Sequence, residues 1–463
     1  MEQKFFHHAL KVLENICIGC THCMTVCPTE AIRVKNGTAH IIDNRCVDCG
    51  KCFRHCPVKA IIIDHDDFNR IFKFKHRIAL VPSVIIGQFP EEITTRQIYS
   101  QLYEIGFNKV VEVEQGVEIL HEAMSKYMIE NPDNKPHISA FCPAIVRLIQ
   151  VKFPTLVDNL IRVKPPLDIT AGYLRKMLIE KGEATEDIGI FYVTPCAAKI
   201  AAIKSPVGEE TSSITGVINM DLIFNKVYRS IKTGKKDHCV VPDSQPLKSR
   251  GVLWSLTHGE ADEFEGRCLA IDEIHNVIEF LEKLENDEIQ GVDFLELRAC
   301  DQSCAGGVLA SGNRFLTVER LRKRANSSEE QQNDTIPPRS ESINDYHDKL
   351  LNDSSISIIT PRSMLKLDED MGEAMRKMDN VNQLMKCFPR IDCGACGTPN
   401  CQALATDIVQ GNGKIEQCFY IQHLMRDRDV LDARETSRIN GEIWGPDKID
   451  TDRCFNTYLK NDD

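Results

Sequence analysis

From about residue 78 the chain alternates short apolar runs with stretches whose apolar residues recur at helical spacing. IALVPSVII reads as a strand, and EEITTRQIYSQLYEIG as a helix with Ile98, Leu102 and Ile105 on one face. KVVEVEQ predicts the next strand. Three later runs, HISA, IGIFYVTP and VDFLELRA, predict strands that each lead into cysteine, at Cys142, Cys196 and Cys300, with Cys304 close behind. The proline after Cys142 suits the first turn of a helix, AIVRLIQVKF. Strands alternating with helices predict an α/β domain. Ligand sites in open sheets of this kind lie beyond the carboxyl ends of the strands. The three strands are therefore expected to deliver four thiols to one crevice.

On either side of this core, cysteine spacing takes over as the signal. CIGCTHCMTVCP (17–28) and CVDCGKCFRHCP (46–57) both read C-x2-C-x2-C-x3-C-P, the run that wraps three thiolates around a 4Fe–4S cubane. In the two-cluster arrangement the fourth cysteine of each run serves the other cluster. Cys17, Cys20, Cys23 and Cys56 are expected to hold one cubane, and Cys46, Cys49, Cys52 and Cys27 the second. Zinc sites would not need the doubled spacing with its trailing prolines. The segments that follow, AIRVKN and AIIIDH, predict short strands, and His22 and His55 are expected to be solvated or tuning residues. Near the other end, Cys393, Cys396, Cys401 and Cys418 follow C-x2-C-x4-C-x16-C. The first three sit on a glycine-rich loop that can bring backbone N–H groups to an anionic cluster. The helix QALATDIVQG follows and ends at Gly411. Four thiolates at this spacing are also compatible with tetrahedral zinc.

A length of 463 residues implies more than one hydrophobic core, and two to four domains are expected. The net charge of -12 argues against a general nucleic-acid binder. No apolar run is long enough to cross a bilayer, and MEQKFFHHALKVLENICIGC has no signal-peptide h-region, so a cytoplasmic location is expected. Twenty cysteines in such a chain point to metal rather than disulfides. Cys239, Cys268, Cys387 and Cys454 fit no spacing and are expected to be non-ligands. The histidines form no HExxH or comparable zinc pattern. Residues 320–365, rich in Ser, Asn, Asp and Glu, read as a flexible or partly helical linker. MLKLDEDMGEAMRKMDNVNQLMKCF predicts a helix with Leu365, Met371, Met375, Met378 and Leu384 on a packing face.

The motifs AFCPAIV, TPCAAKIAA and ELRACDQSCAGG, in this order, resemble the three that carry the active-site cluster of iron-iron (FeFe) hydrogenases. The likeness extends from about residue 78 to about 325. The C-terminal cysteine stretch resembles the small 4Fe–4S domain of electron-transfer subunits in membrane ion-pumping complexes and of corrinoid iron–sulfur proteins. The resemblance implies an α/β fold, a domain of two lobes with parallel sheets flanked by helices. A small α+β two-cluster ferredoxin domain and a small helical 4Fe–4S domain would accompany it. The implied limits are 1–75 for the ferredoxin-like domain, 76–325 for the hydrogenase-like domain, 326–385 for a linker and helical connector, 386–425 for the C-terminal cluster domain and 426–463 for a tail.

The implied cofactors are two N-terminal 4Fe–4S clusters, one C-terminal 4Fe–4S cluster and an H-cluster. Cys142, Cys196, Cys300 and Cys304 would hold the cubane of the H-cluster. Cys304 would bridge to a diiron unit carrying CO, cyanide and an azadithiolate, and Lys199 matches the family lysine that binds a cyanide ligand. Cys304 and Lys199 are thus the implied catalytic-site residues.

The departures from the family pattern bear on rate. Phe141 stands where catalytic members place a proton-relaying cysteine, Thr194 where the second motif has methionine, and Ala202 where it has glutamate. Gln302 and Ser303 replace two glycines, while Gly306 and Gly307 remain. Losing a general acid–base group typically costs about 10²–10⁴-fold in rate. The pattern is similar to the sensory branch of the family that carries a C-terminal cluster domain. The expected function is reversible hydrogen oxidation or hydrogen sensing at low turnover, in an anaerobe. Expected partners are hydrogen and protons, a ferredoxin-like or other redox protein, and, for a sensor, a separate kinase or phosphatase. The alternative is a non-catalytic iron–sulfur protein, for electron transfer or cluster assembly, with only a cubane in the crevice.

Overall fold

The computed structural model describes residues 6–233, 247–331, 342–362, 367–368, 370–446 and 448. Cys239, Cys454 and Leu365 lie outside the described residues. The chain divides into two compact units.

The first unit comprises Met1–Ala9, Val47–Gly50 and Asp64–Arg362. It is mixed α/β, with parallel sheets flanked by helices. Its larger sheet has four parallel strands in the order Lys109–Glu112, His76–Val81, Ile188–Thr194 and Gly216–Asn219. Every residue of Ile188–Thr194 is buried, as a central strand covered on both faces requires. Val81, Phe191, Val193 and Ile218 pack with Ile98 and Leu102 of the helix Thr95–Glu104. That helix starts at a capping box in which Thr94 accepts from the Gln97 amide while the Gln97 side chain returns to the Thr94 amide. The second sheet orders Cys268–Ile271, Phe294–Leu297 and His137–Ile138, again all parallel.

Several boundaries differ from the sequence pattern. IALVPSVII is strand only as far as Val81; beyond Pro82, which has no N–H to give a ladder, the chain turns into the short helix Val84–Gly87. The residues EEIT before Thr95 are not helical. KVVEVEQ ends its strand at Glu112 and coils into a 3-10 turn, Val113–Gly116. The helix Arg314–Gln331 runs across the expected boundary at 325.

The second unit comprises Leu10–Cys46, Lys51–Ile63 and Ser363–Asp463. Its N-terminal part has two antiparallel pairs, Leu10–Val12 with Ile61–Ile63 and Ile32–Lys35 with Thr38–Ile41. Its C-terminal part is helical: Met371–Cys387, Cys401–Val409, Phe419–Asp427 and Ala433–Trp444. Val381, Phe388, Leu404 and Ala405 form the apolar centre of this part, with Leu384 against it. Met371, Met375 and Met378 do not share that packing; they are 75%, 66% and 44% exposed. Helical spacing marks a common face without saying that anything covers it.

Candidate metal centre

The crevice cysteines of the first unit stand where strands hand over to helices. Cys142 is the residue before the helix Pro143–Lys152, with Pro143 at its first position, and Cys196 precedes Ala197–Lys204. Both thiols therefore meet the positive end of a helix, which favours a thiolate. Thr194 braces the second junction. Its hydroxyl donates to the Cys196 carbonyl (2.9 Å) and accepts from the Cys196 amide (3.2 Å). Cys300 and Cys304 follow the strand Phe294–Leu297 on a tight turn, in which the Ser303 amide donates to the Cys300 carbonyl (3.0 Å). Gly307 lies so close to Pro195 that a Cβ there would meet the Pro195 carbonyl at 2.5 Å.

Lys199, one turn into its helix, is buried, and its Nζ donates to Cys304 Sγ at 3.6 Å. Burial pulls the ammonium pKa down, but Cys304, Tyr192, Cys196 and Cys142 together hold it above its ordinary value. Burial pushes the Cys196 thiol up to about 12, with Cys304 and Cys142 adding to the rise and Lys199 opposing it. Bare thiols in such a place stay protonated, and a bound metal would displace their protons. Three of the four predicted thiols thus share one electrostatic neighbourhood with a cation, a donor set that suits an anionic iron–sulfur group.

Gln302 and Ser303 both adopt the left-handed region, with φ of 60° and 53°. The backbone conformation that glycine favours is kept without glycine, at roughly 1–2 kcal/mol per residue. Compensating contacts surround it. The Gln302 amide donates to Asp272 (2.9 Å), and the Thr257 hydroxyl pairs with both Asp272 (2.9 Å) and the Ser303 hydroxyl (3.0 Å).

Phe141 is buried between two cations, its ring 4.5 Å from Lys199 Nζ and 4.1 Å from Arg298 Cζ. Arg298 is a site residue that sequence reasoning passed over. It is 1% exposed and lies 3.3 Å from both Glu260 and Glu296. The signal was available: Glu296 and Arg298 alternate on one face of an otherwise apolar strand.

Beside Phe141 and Lys199 opens a mostly apolar cavity of about 90 Å³, whose wall includes Ala202, Arg147, Asp168 and Glu209. Burial pushes the Asp168 carboxyl up to about 7. Glu209 adds to the rise, while Lys164 and a hydrogen bond from Ser212 oppose it. Arg147 donates to Asp48 at 2.6 Å, and both side chains are fully buried.

In the second unit Cys17, Cys20, Cys23 and Cys56 line one small cavity. Burial, with Cys17 and Cys20 nearby, pushes the Cys23 thiol up to about 12. Backbone amides donate to these sulfurs, Ala39 to Cys17 (3.3 Å) and Ala60 to Cys56 (3.2 Å), as they do around iron–sulfur clusters. Cys27 accepts from Ala31 in the same way (3.2 Å). Cys46 and Cys52 are buried, and Cys49, which belongs to the first unit, is half-buried. The C-terminal thiols also gather. Burial raises Cys396, with Cys418 and Cys393 contributing, and raises Cys418, with Cys401 and Cys393 contributing. Cys387 is exposed, as are His22 and His55.

Residues 75–246 match the family described as iron only hydrogenase large subunit, C-terminal domain. Residues 9–57 match a 4Fe-4S dicluster domain, and 388–420 a family described by its Fe-S cluster. The chain is 27% identical over 188 residues to iron hydrogenase 1 of Clostridium pasteurianum, a match covering 38% of this chain and 32% of that protein. It is 32% identical over 63 residues to the corrinoid/iron-sulfur protein large subunit of Moorella thermoacetica, 14% of each. The chain thus spans a third or less of these relatives. A solved FeFe-hydrogenase of Chlamydomonas reinhardtii aligns over 65% of this chain and 96% of its own, at 14% identity and a TM-score of 0.45. No described helix is long and apolar enough to cross a membrane. By its matched segments the chain carries a segment of the iron-only hydrogenase type, with a 4Fe–4S dicluster segment before it and an Fe–S cluster segment after it.

Proposed function

We propose that this protein oxidises or evolves hydrogen slowly, or senses it, at an H-cluster held by Cys142, Cys196, Cys300 and Cys304. Electrons would pass through two N-terminal 4Fe–4S clusters and one C-terminal cluster, within the domain limits given by the sequence, to a redox protein in the cytoplasm. A sensing role would need a separate protein, such as a kinase or phosphatase, to read it out.

The observation that carries this reading is the buried Lys199 ammonium, 3.6 Å from Cys304 Sγ. Removing a cation from water is costly unless an anion awaits it, and a cyanide-bearing diiron group would supply one. When bound, that group would supply the iron at which hydrogen is split. The chain's own part is to anchor, orient and exclude water. The four thiolates anchor, Lys199 Nζ donates to an anionic ligand, and Phe141 with Arg298 closes one wall. Neither Phe141 nor Ala202 can hold a proton at the crevice, so proton delivery is slow. The test is infrared spectroscopy of protein matured with the diiron cofactor. Cyanide and CO stretches are expected, and their absence refutes the diiron reading.

The second reading, a cubane-only electron-transfer or assembly protein, is favoured by one observation. The Phe141 ring occupies the space between Lys199 and Arg298, giving the lysine an aromatic face as well as a thiol to rest against. Iron and sulfide for a crevice cubane, with no cyanide bands after maturation, is the result this reading expects.

A further inference from the structure

The two cysteine-bearing parts of the second unit are joined by hydrogen bonds in one body. The Val34 amide donates to the Gly397 carbonyl (2.8 Å), and the Asn36 and Gly37 amides donate to the carbonyls of Glu442 and Ile443 (2.7 and 3.0 Å). The C-terminal segments thereby dock along the edge formed by Val34 and the turn at Asn36 and Gly37. Trp444 Nε1 donates back to the Ala395 carbonyl (3.1 Å), between Cys393 and Cys396.

Beneath this edge lies a buried ion pair. Arg33 donates to both oxygens of Asp407 (2.6 and 3.2 Å), and Arg33 is 2% exposed. Asn400, which caps the helix carrying Cys401, donates to Glu30 (2.7 Å), three residues beyond Cys27. Where the loops meet, Gly394, next to Cys393, approaches Met24, next to Cys23. A Cβ on Gly394 would lie 3.2 Å from the Met24 methyl. Gly397, at φ +78°, has no room for a side chain either, because a Cβ would run into the Val34 carbonyl.

We propose that the C-terminal cysteine loop is an internal station of the relay, exchanging electrons directly with the loop of Cys17, Cys20, Cys23 and Cys56 across Met24. This rests on the reading that both sets of cysteines hold cubanes. Cys23 and Cys393 are each one residue from the point of contact, which puts the two sites on the order of 10 Å apart through packed side chains. A module tethered by a linker for docking alone would not need a buried arginine–carboxylate pair, which stabilises weakly and is costly to break. In the step itself one electron leaves a reduced cubane, which is oxidised by one charge, and enters its oxidised neighbour, which is reduced by one. No bond or proton changes hands. The initial electron comes from an external one-electron reductant.

The test is electron paramagnetic resonance of the full chain, reduced with dithionite, beside iron and sulfide analysis. Coupling within the N-terminal pair is expected to persist in Cys401→Ala, while a further coupled component present in wild type disappears with the C-terminal cubane. Gly397→Val keeps every cysteine and forces the loops apart. It is expected to retain wild-type iron and lose the same component. A wild-type spectrum with full iron and no component sensitive to Cys401→Ala overturns the relay, as does a Gly397→Val spectrum identical to wild type. Missing iron and sulfide at the C-terminal site instead overturns the cluster reading, and the relay with it. The wild-type and Cys401→Ala spectra decide the matter even if Gly397→Val does not fold.

Discussion

Replacing Asp168 with asparagine removes a buried carboxyl from the cavity wall beside Lys199 and leaves a side chain of nearly the same shape. Burial raises this carboxyl from its ordinary 3.8 to about 7, with Glu209 adding to the rise and Lys164 and Ser212 opposing it. An acid raised on folding contributes no penalty below its unfolded pKa. As pH climbs from 3.8 to 7 the unfolded chain gives up its proton first, and folding loses about 1.36 kcal/mol per pH unit. The accumulated penalty is about 2 kcal/mol at pH 5 and about 4 kcal/mol above pH 7. Asparagine carries no such slope. Asp168→Asn is expected to be more stable than wild type at both pH values, by about 4 kcal/mol at pH 8 and about half that at pH 5. Urea unfolding followed by far-UV circular dichroism at the two pH values measures this. An equal difference at both, or a less stable variant at pH 8, would refute the idea that burial governs this carboxyl.

Phe141→Cys places an exchangeable proton against Lys199 and is expected to raise hydrogen turnover of matured protein by about 10²-fold or more. An unchanged rate would put the limit at Ala202 or in electron transfer. Lys199→Gln removes the buried cation, so cyanide bands are expected to vanish from the infrared spectrum while the iron of the cubane sites stays. Arg298→Gln leaves Glu260 and Glu296 facing each other without their cation, and a loss of about 3–5 kcal/mol in urea unfolding is expected. A loss below about 1 kcal/mol would mean that Arg298 does not balance those carboxylates.

The strand-end position of Cys196 was readable because a parallel strand buried on both faces shows as an unbroken apolar run, and the run ends where the site begins. Pro143 marked its helix for a comparably local reason. The strand break inside IALVPSVII was also local, and the signal was Pro82, which weighed less than the apolar run around it. What spacing along the chain could not reveal depends on distant partners. Asp168 is unusual only because the fold surrounds it with apolar walls, Glu209 and Lys164. The pairing of Arg33 with Asp407 joins residues far apart in sequence. Met371, Met375 and Met378 show the reverse, a regular stripe that the described residues leave exposed.

The left-handed turn at Gln302 and Ser303 has a practical consequence. Because the backbone there already holds the conformation that glycine favours, a glycine at either position fits the frame as it stands. Substituting glycine at either one asks for no movement of Cys300 or Cys304. Gln302, half-buried, is the place where the chemistry beside the crevice can be changed, whereas Ser303 is buried and held to Thr257 by its hydroxyl.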